Sequence, residues 1–166
     1  MRRRPDDRRG GLGVAAGAFG VLALLAAVIV LGFAYLSVRE TSIGSDLSQS
    51  DPTQALHALN IAADLNPLSA DPARLAGSIA LANQRYETAR QRFGQATSRD
   101  PGGWYGWLGA GLAASALGDR AQARRDFQTA RSINPRQAVI ARALEEVDTK
   151  DPLAPATALQ QLAQSL

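Results

Sequence analysis

The stretch ARQRFGQATSRDP, residues 89–101, returns 34 residues later as ARRDFQTARSINP, residues 123–135. It also stands 34 residues earlier as ALHALNIAADLNP, residues 55–67. Ala55, Leu59, Ala62 and Pro67 thus recur as Ala89, Phe93, Ala96 and Pro101, and again as Ala123, Phe127, Ala130 and Pro135. Gly77 is followed by Gly111, and Ala80 by Ala114, at the same interval. A fixed period of this size marks a stack of short structural units, each too small to bury its apolar face alone. The small residues let helix backbones approach closely, and Leu59, Phe93 and Phe127 are the larger plugs between them.

Capping signals divide each copy into helices. Ser50-Asp51-Pro52 places a cap before a first-turn proline, and that helix runs to about Leu65. Asn66-Pro67 ends it, because proline cannot continue a helix and disfavours helical geometry in the preceding residue. The same logic predicts helices over 71–82, 86–98, 104–117, 120–132 and 137–147, with breaks at Asn83-Gln84-Arg85, Asp100-Pro101-Gly102-Gly103, Gly118-Asp119 and Asn134-Pro135. After Asp151-Pro152, Leu159, Leu162 and Leu166 stand at helical spacing. No useful alternating strand pattern is present, so the body reads as all-α.

The period and these landmarks resemble the tetratricopeptide repeat (TPR) family, a solenoid of helical hairpins. The match is specific in the period and in the second helix of each unit. It is looser in the first helix, where Trp107 is the one large family-type residue, while Ala76, Ala110, Ala80 and Ala114 replace larger ones. The resemblance implies a binding surface lined by first helices, which in this numbering comprises Arg74, Ser78, Tyr105, Leu108, Leu112, Arg142 and Glu146. Its expected character is an apolar centre rimmed by charge, suited to a protein or peptide ligand. Some members hold the carboxylate of chaperone peptides in a clamp. Arg74 matches one clamp position, whereas Ser78, Gly109, Val139 and Ala143 do not match theirs, so the clamp is incomplete. Trp104, Tyr105 and Trp107 cluster at one helix start, either as packing residues or as a ligand cage, with Tyr105 the leading anchor.

Ahead of the repeats, no charge occurs between Gly10 and Val38. That run exceeds the roughly 20 residues that cross a bilayer core as a helix. Five arginines precede it, at positions 2, 3, 4, 8 and 9, whereas Arg39 follows beside Glu40. Basic residues are retained inside, so the N-terminus is expected in the cytoplasm and the repeats outside. A cleaved signal peptide, with Gly32-Phe33-Ala34 as its cleavage site, is the rival reading. Its apolar region would be far longer than the usual 7–15 residues, which favours an uncleaved anchor. Gly13-x-x-x-Gly17 fits a helix-packing motif, and equally fits small residues filling a lipid-facing helix. Counting back 34 from Ala70 puts the first helix of the leading unit near Leu36 to Ser50. The span is therefore expected to continue past Val38 and pack as that helix; Ser42, Gly44, Ser45, Ser48 and Ser50 favour a flexible linker instead.

The expected organisation is a basic cytoplasmic tail (1–10), a transmembrane helix (11–38), a juxtamembrane segment (39–50) and a solenoid of about three repeats (51–148). The solenoid comprises a half-unit (51–69), units 70–103 and 104–137, and a trailing helix (138–148). A tail (149–166) carries a short amphipathic helix.

Composition narrows function by exclusion. There is no Cys, and the single His57 sits mid-helix. No metal cluster, nucleophile–base pair or phosphate loop stands out, so no cofactor, no metal and no enzymatic role are expected. The first ten residues hold five Arg and two Asp, which accounts for the whole net charge of +3. A neutral body argues against nucleic acid. Lys150 is the sole lysine, and the Ala- and Arg-rich composition points to a GC-rich bacterial genome. The segments ALNIAADLNPLSADP (residues 58–72) and ARSINPRQ (residues 130–137) resemble the TPR tail of bacterial O-antigen ligase or polymerase-like envelope proteins. These readings combine into a membrane scaffold in the bacterial inner membrane, accessory to envelope polysaccharide assembly. Homo-oligomerisation through helical ends or the Leu159/Leu162/Leu166 tail is the competing expectation.

Overall fold

The computed structural model describes residues 9–48 and 50–164. These form eight helices and no strand: α1 (Arg9–Leu47), α2 (Pro52–Leu65), α3 (Asp71–Ala82), α4 (Tyr86–Arg99), α5 (Trp104–Ala116), α6 (Arg120–Ile133), α7 (Ala138–Glu146) and α8 (Pro155–Gln164). Helices α1 to α7 pack mainly on their sequence neighbours, as a linear stack requires. The arginines at positions 2, 3, 4 and 8, and Leu166, lie outside the described residues.

The repeat is visible in backbone geometry. Asn66, Asp100 and Asn134 cap α2, α4 and α6 with φ of −136°, −130° and −129° and ψ near 82°. Their N–H groups return to the carbonyls of Ala62, Ala96 and Ala130 at 3.1, 2.8 and 2.9 Å. Proline follows each cap, so the chain must leave helical geometry at the same place three times. The hairpin turns repeat too. Gln84 and Gly118, 34 residues apart, both have positive φ, at 58° and 83°. Glycine adopts that conformation freely, whereas Gln84 is strained by its Cβ.

Within each hairpin a plug on the second helix meets a glycine on the first. Phe93 is fully buried, and a Cβ added to Gly77 would lie 2.9 Å from its ring. The opposite edge of that ring meets Gly109 of α5 with still less room. One aromatic side chain therefore joins α3, α4 and α5. Phe127 meets Gly111 likewise, where an added Cβ would lie 2.5 Å away.

The leading unit follows the same rule through α1, which is one unbroken helix from Arg9 to Leu47. Gly44 approaches Leu59 so closely that a Cβ would lie 2.6 Å from it. Ser37 is buried and donates through Oγ to the Ala62 carbonyl at 2.8 Å. From Ser37 onward, α1 is thus the first helix of a hairpin whose second is α2. Asp51 closes the connection, accepting from the Thr53 and Gln54 N–H groups. From Ala26 to Leu36 the helix is largely exposed, Val28 and Leu31 among its outward side chains.

Overpacking a site with no free space costs about 1–3 kcal/mol. Gly77→Ala is therefore expected to lower Tm despite its better helix propensity. Gly94→Ala is the control, since nothing lies within 4 Å of a Cβ there. It should raise stability by about 0.5–1 kcal/mol. Thermal melts followed by circular dichroism read both; a gain for Gly77→Ala would refute the wedge.

Candidate binding groove

The expected groove residues occupy three helices that share one face: Arg74 and Ser78 on α3, Tyr105, Leu108 and Leu112 on α5, and Arg142 and Glu146 on α7. The same face receives α8, which packs against α3, α5 and α7. The expectation of an open apolar centre is corrected here. Leu108 and Leu112 are each 1 % exposed, because Leu159 and Leu162 of α8 lie over them in a seam too tight for water. Leu153, Ala158 and Leu162 join the cluster that contains Phe93 and Phe127. Sequence spacing showed that α8 was amphipathic; it could not show which surface its leucines would choose.

With its centre covered, the face is left as two clefts. The first, of about 620 Å³, is lined by Thr41 of α1, Asp71, Arg74, Leu75 and Ser78 of α3, and Trp104 and Tyr105 of α5. The second, of about 670 Å³, is lined from Gln137 to Glu146 along α7 and by Gln161 of α8. Thr41, Leu75 and Gln161 are not among the expected groove residues; Gln161 belongs to α8, whose seat the leucine spacing leaves open.

Several polar groups in the clefts are already engaged. Tyr105 Oη and Ser78 Oγ lie 3.0 Å apart, and Ser78 Oγ also donates to the Arg74 carbonyl at 3.0 Å. The Tyr105 ring stands edge-on to Phe93 and Trp104, with centroids 6.2 and 5.8 Å away. Arg74 pairs with Asp71 at 2.7 Å, and Arg142 with Glu146 at 2.7 Å. Exposed pairs of this spacing contribute only about 0.3–0.5 kcal/mol, so a ligand carboxylate can take the place of Asp71 or Glu146 at the arginine. Trp107 has a structural role: its Nε1 donates to the Pro101 carbonyl at 2.9 Å and fixes the turn into α5.

The tetratricopeptide repeat profile matches residues 45–103 and 74–138, more than half of the chain. The chain belongs to the tetratricopeptide repeat family. Solved structures agree on the fold. The TPR domain of Arabidopsis OM64 superposes with a TM-score of 0.67 at 18% identity, over 72% of this chain and 99% of that one. The second TPR domain of human RPAP3, in complex with the HSP70 peptide SGPTIEEVD, gives 0.67 at 20% identity, over 70% and 98%. The first TPR of Spaghetti (RPAP3), bound to the HSP90 peptide SRMEEVD, gives 0.66 at 14% identity, over 69% and 91%. No curated protein sequence matches the chain.

One acidic group in this TPR stack is perturbed. Asp126 on α6 is 5 % exposed, and its burial pushes the carboxyl above its ordinary range, against the lowering effect of a 2.8 Å hydrogen bond from Gln122 Nε2. The folded chain then holds this proton more tightly than the unfolded chain. Stability attributable to Asp126 therefore falls as pH rises past the ordinary carboxylate range, and stays lower once both states are ionised. Asp126→Asn removes the buried charge. It is expected to raise Tm at pH 7, with a gain that shrinks towards about pH 4, near the unperturbed value. A pH series of melts reads it, and a pH-independent effect would refute the role of burial.

Proposed function

We propose that the chain is a single-pass, membrane-anchored TPR scaffold whose concave face holds a protein or peptide ligand outside the cytoplasm. The observation that carries this reading is the division of α1. From Ala26 to Leu36 it is apolar and largely exposed, with Val30 and Leu31 at 65 and 68 %. From Ser37 it packs on α2. A water-exposed aliphatic helix of this kind is costly, and a bilayer removes the cost. The uncharged run Gly10–Val38 spans about 43 Å at 1.5 Å per residue, enough to cross the hydrocarbon core. The arginines before it favour a cytoplasmic N-terminus. Because α1 passes directly into the first hairpin, the repeats would stand on the membrane surface.

Members of this fold family generally act as scaffolds, and two of the structural relatives hold peptides. The chaperone-type ligand does not transfer to this chain. Ser78 is engaged with Tyr105, and the remaining clamp positions are Gly109, Val139 and Ala143. An envelope protein partner in polysaccharide assembly, in a bacterial inner membrane, fits the composition and the resemblance of residues 58–72 and 130–137. The role is binding and not catalysis.

Because the chain has no Cys, an introduced Lys150→Cys is a unique thiol. A membrane-impermeant maleimide should label it in intact spheroplasts; labelling only after lysis would overturn the orientation. Photo-crosslinkers placed at Arg74 and Arg142 should join the chain to a partner in native membranes, whereas one at exposed Gln128 on α6 should not. Equal crosslinking from all three positions would remove the groove from the reading.

A further inference from the structure

The helix lying on the concave face indicates what that face accepts. α8 is ten residues long, too short to be stable alone in water, so its helicity depends on the surface beneath it. Its anchors are Ala158, Leu159 and Leu162, a small residue followed by two leucines one turn apart. Ala158 is fully buried, and the leucines close over Leu108 and Leu112. Gln160 points to solvent, and Gln161 borders the cleft beside Arg142 and Glu145. The receiving face is therefore apolar along its centre and polar at its side, which is complementary to an amphipathic helix laid in a groove.

α8 is also held on a leash that begins at a fixed point. Asp148 forms an ion pair with Arg124, and its carbonyl accepts from Arg120 at 3.4 Å, so the segment leading to α8 is fastened to α6. Leu153 is buried on the same core. The apolar contacts of α8 come from Ala158, Leu159 and Leu162. A segment tethered in this way competes at an effective concentration of about millimolar. A partner helix with the same anchors and added contacts in the two flanking clefts would outcompete it.

We propose that the concave face is a receptor for an amphipathic partner helix carrying the Ala-Leu-x-x-Leu pattern of residues 158–162, and that α8 occupies the receptor until such a helix displaces it. This rests on the reading of the face as a protein-binding surface and specifies the class of ligand. It also explains why Leu108 and Leu112 are buried while Arg74 and Arg142 remain open: the flanks are available for first encounter, and the centre only after α8 leaves.

The test uses the full chain in detergent micelles and a labelled synthetic peptide of residues 153–166 as the probe. The wild-type chain should bind the peptide weakly. The full-length Leu159→Ala/Leu162→Ala variant should bind it about tenfold or more tightly, since its internal competitor is weakened. The same two substitutions in the peptide should abolish binding to either chain. Equal affinity of both chains for the peptide would overturn the proposal. A second readout does not depend on the folding of that variant. A fluorophore on Gln160→Cys, in an otherwise unchanged chain, should gain mobility when unlabelled peptide saturates the face; an unchanged anisotropy would overturn displacement. A concentration-dependent dimer that is lost in the Leu159→Ala/Leu162→Ala chain would assign the face to a second copy, and would equally overturn a partner helix. A chain that ignores the peptide yet still crosslinks from Arg74 and Arg142 refutes this inference alone. Failure of both experiments would also remove the docking role.

Discussion

The contact on which the stack depends is the seating of the Phe93 ring between two glycines, Gly77 of α3 and Gly109 of α5. A side chain at either position would occupy the space of the ring, so the three helices share one wedge with no slack. The ring joins successive hairpins, which is the interface a linear repeat needs most. The Phe127–Gly111 and Leu59–Gly44 contacts extend the rule in both directions. Gly44 stands one residue out of the 34-residue register with Gly77, so the leading hairpin reuses the device with a slightly shifted partner.

That close approach explains the small residues of α5. Gly106, Gly109, Ala110, Gly111, Ala113 and Ala114 are all buried, which is possible only for a helix enclosed by neighbours on most sides. Larger residues would hold α4 and α6 away and open the stack. The smaller family positions at Ala76, Ala80, Ala110 and Ala114 belong to this compact arrangement; all four are buried. At the centre of the groove face, two leucines of α8 cover Leu108 and Leu112.

Much of the candidate site was legible as positions and little of it as a surface. The register placed Arg74, Ser78, Tyr105, Leu108, Leu112, Arg142 and Glu146 on first helices, and those helices do share a face. Accessibility is a different property, because it depends on what else is packed there. A leucine pattern such as Leu159 and Leu162 states that α8 needs an apolar partner, without identifying that partner. Thr41 illustrates the same limit: it reaches the first cleft only because α1 continues past Val38 and docks on α2.

By itself the sequence determined the all-α repeat, the places where helices stop and the faces they bury, since these follow from local rules. Proline bars helix continuation, a cap satisfies free N–H groups, and a 34-residue period repeats one packing solution. The register already pointed to α1 as the first helix of a hairpin, but only the tertiary structure chose that over a linker, and only it decided that Phe93 is gripped from both sides and that α8 closes the centre of the groove. Each of those depends on which of several apolar surfaces meet. Hydrophobic attraction is non-directional, so the choice among them is made by shape and by chain length between the partners, and both are properties of the folded molecule.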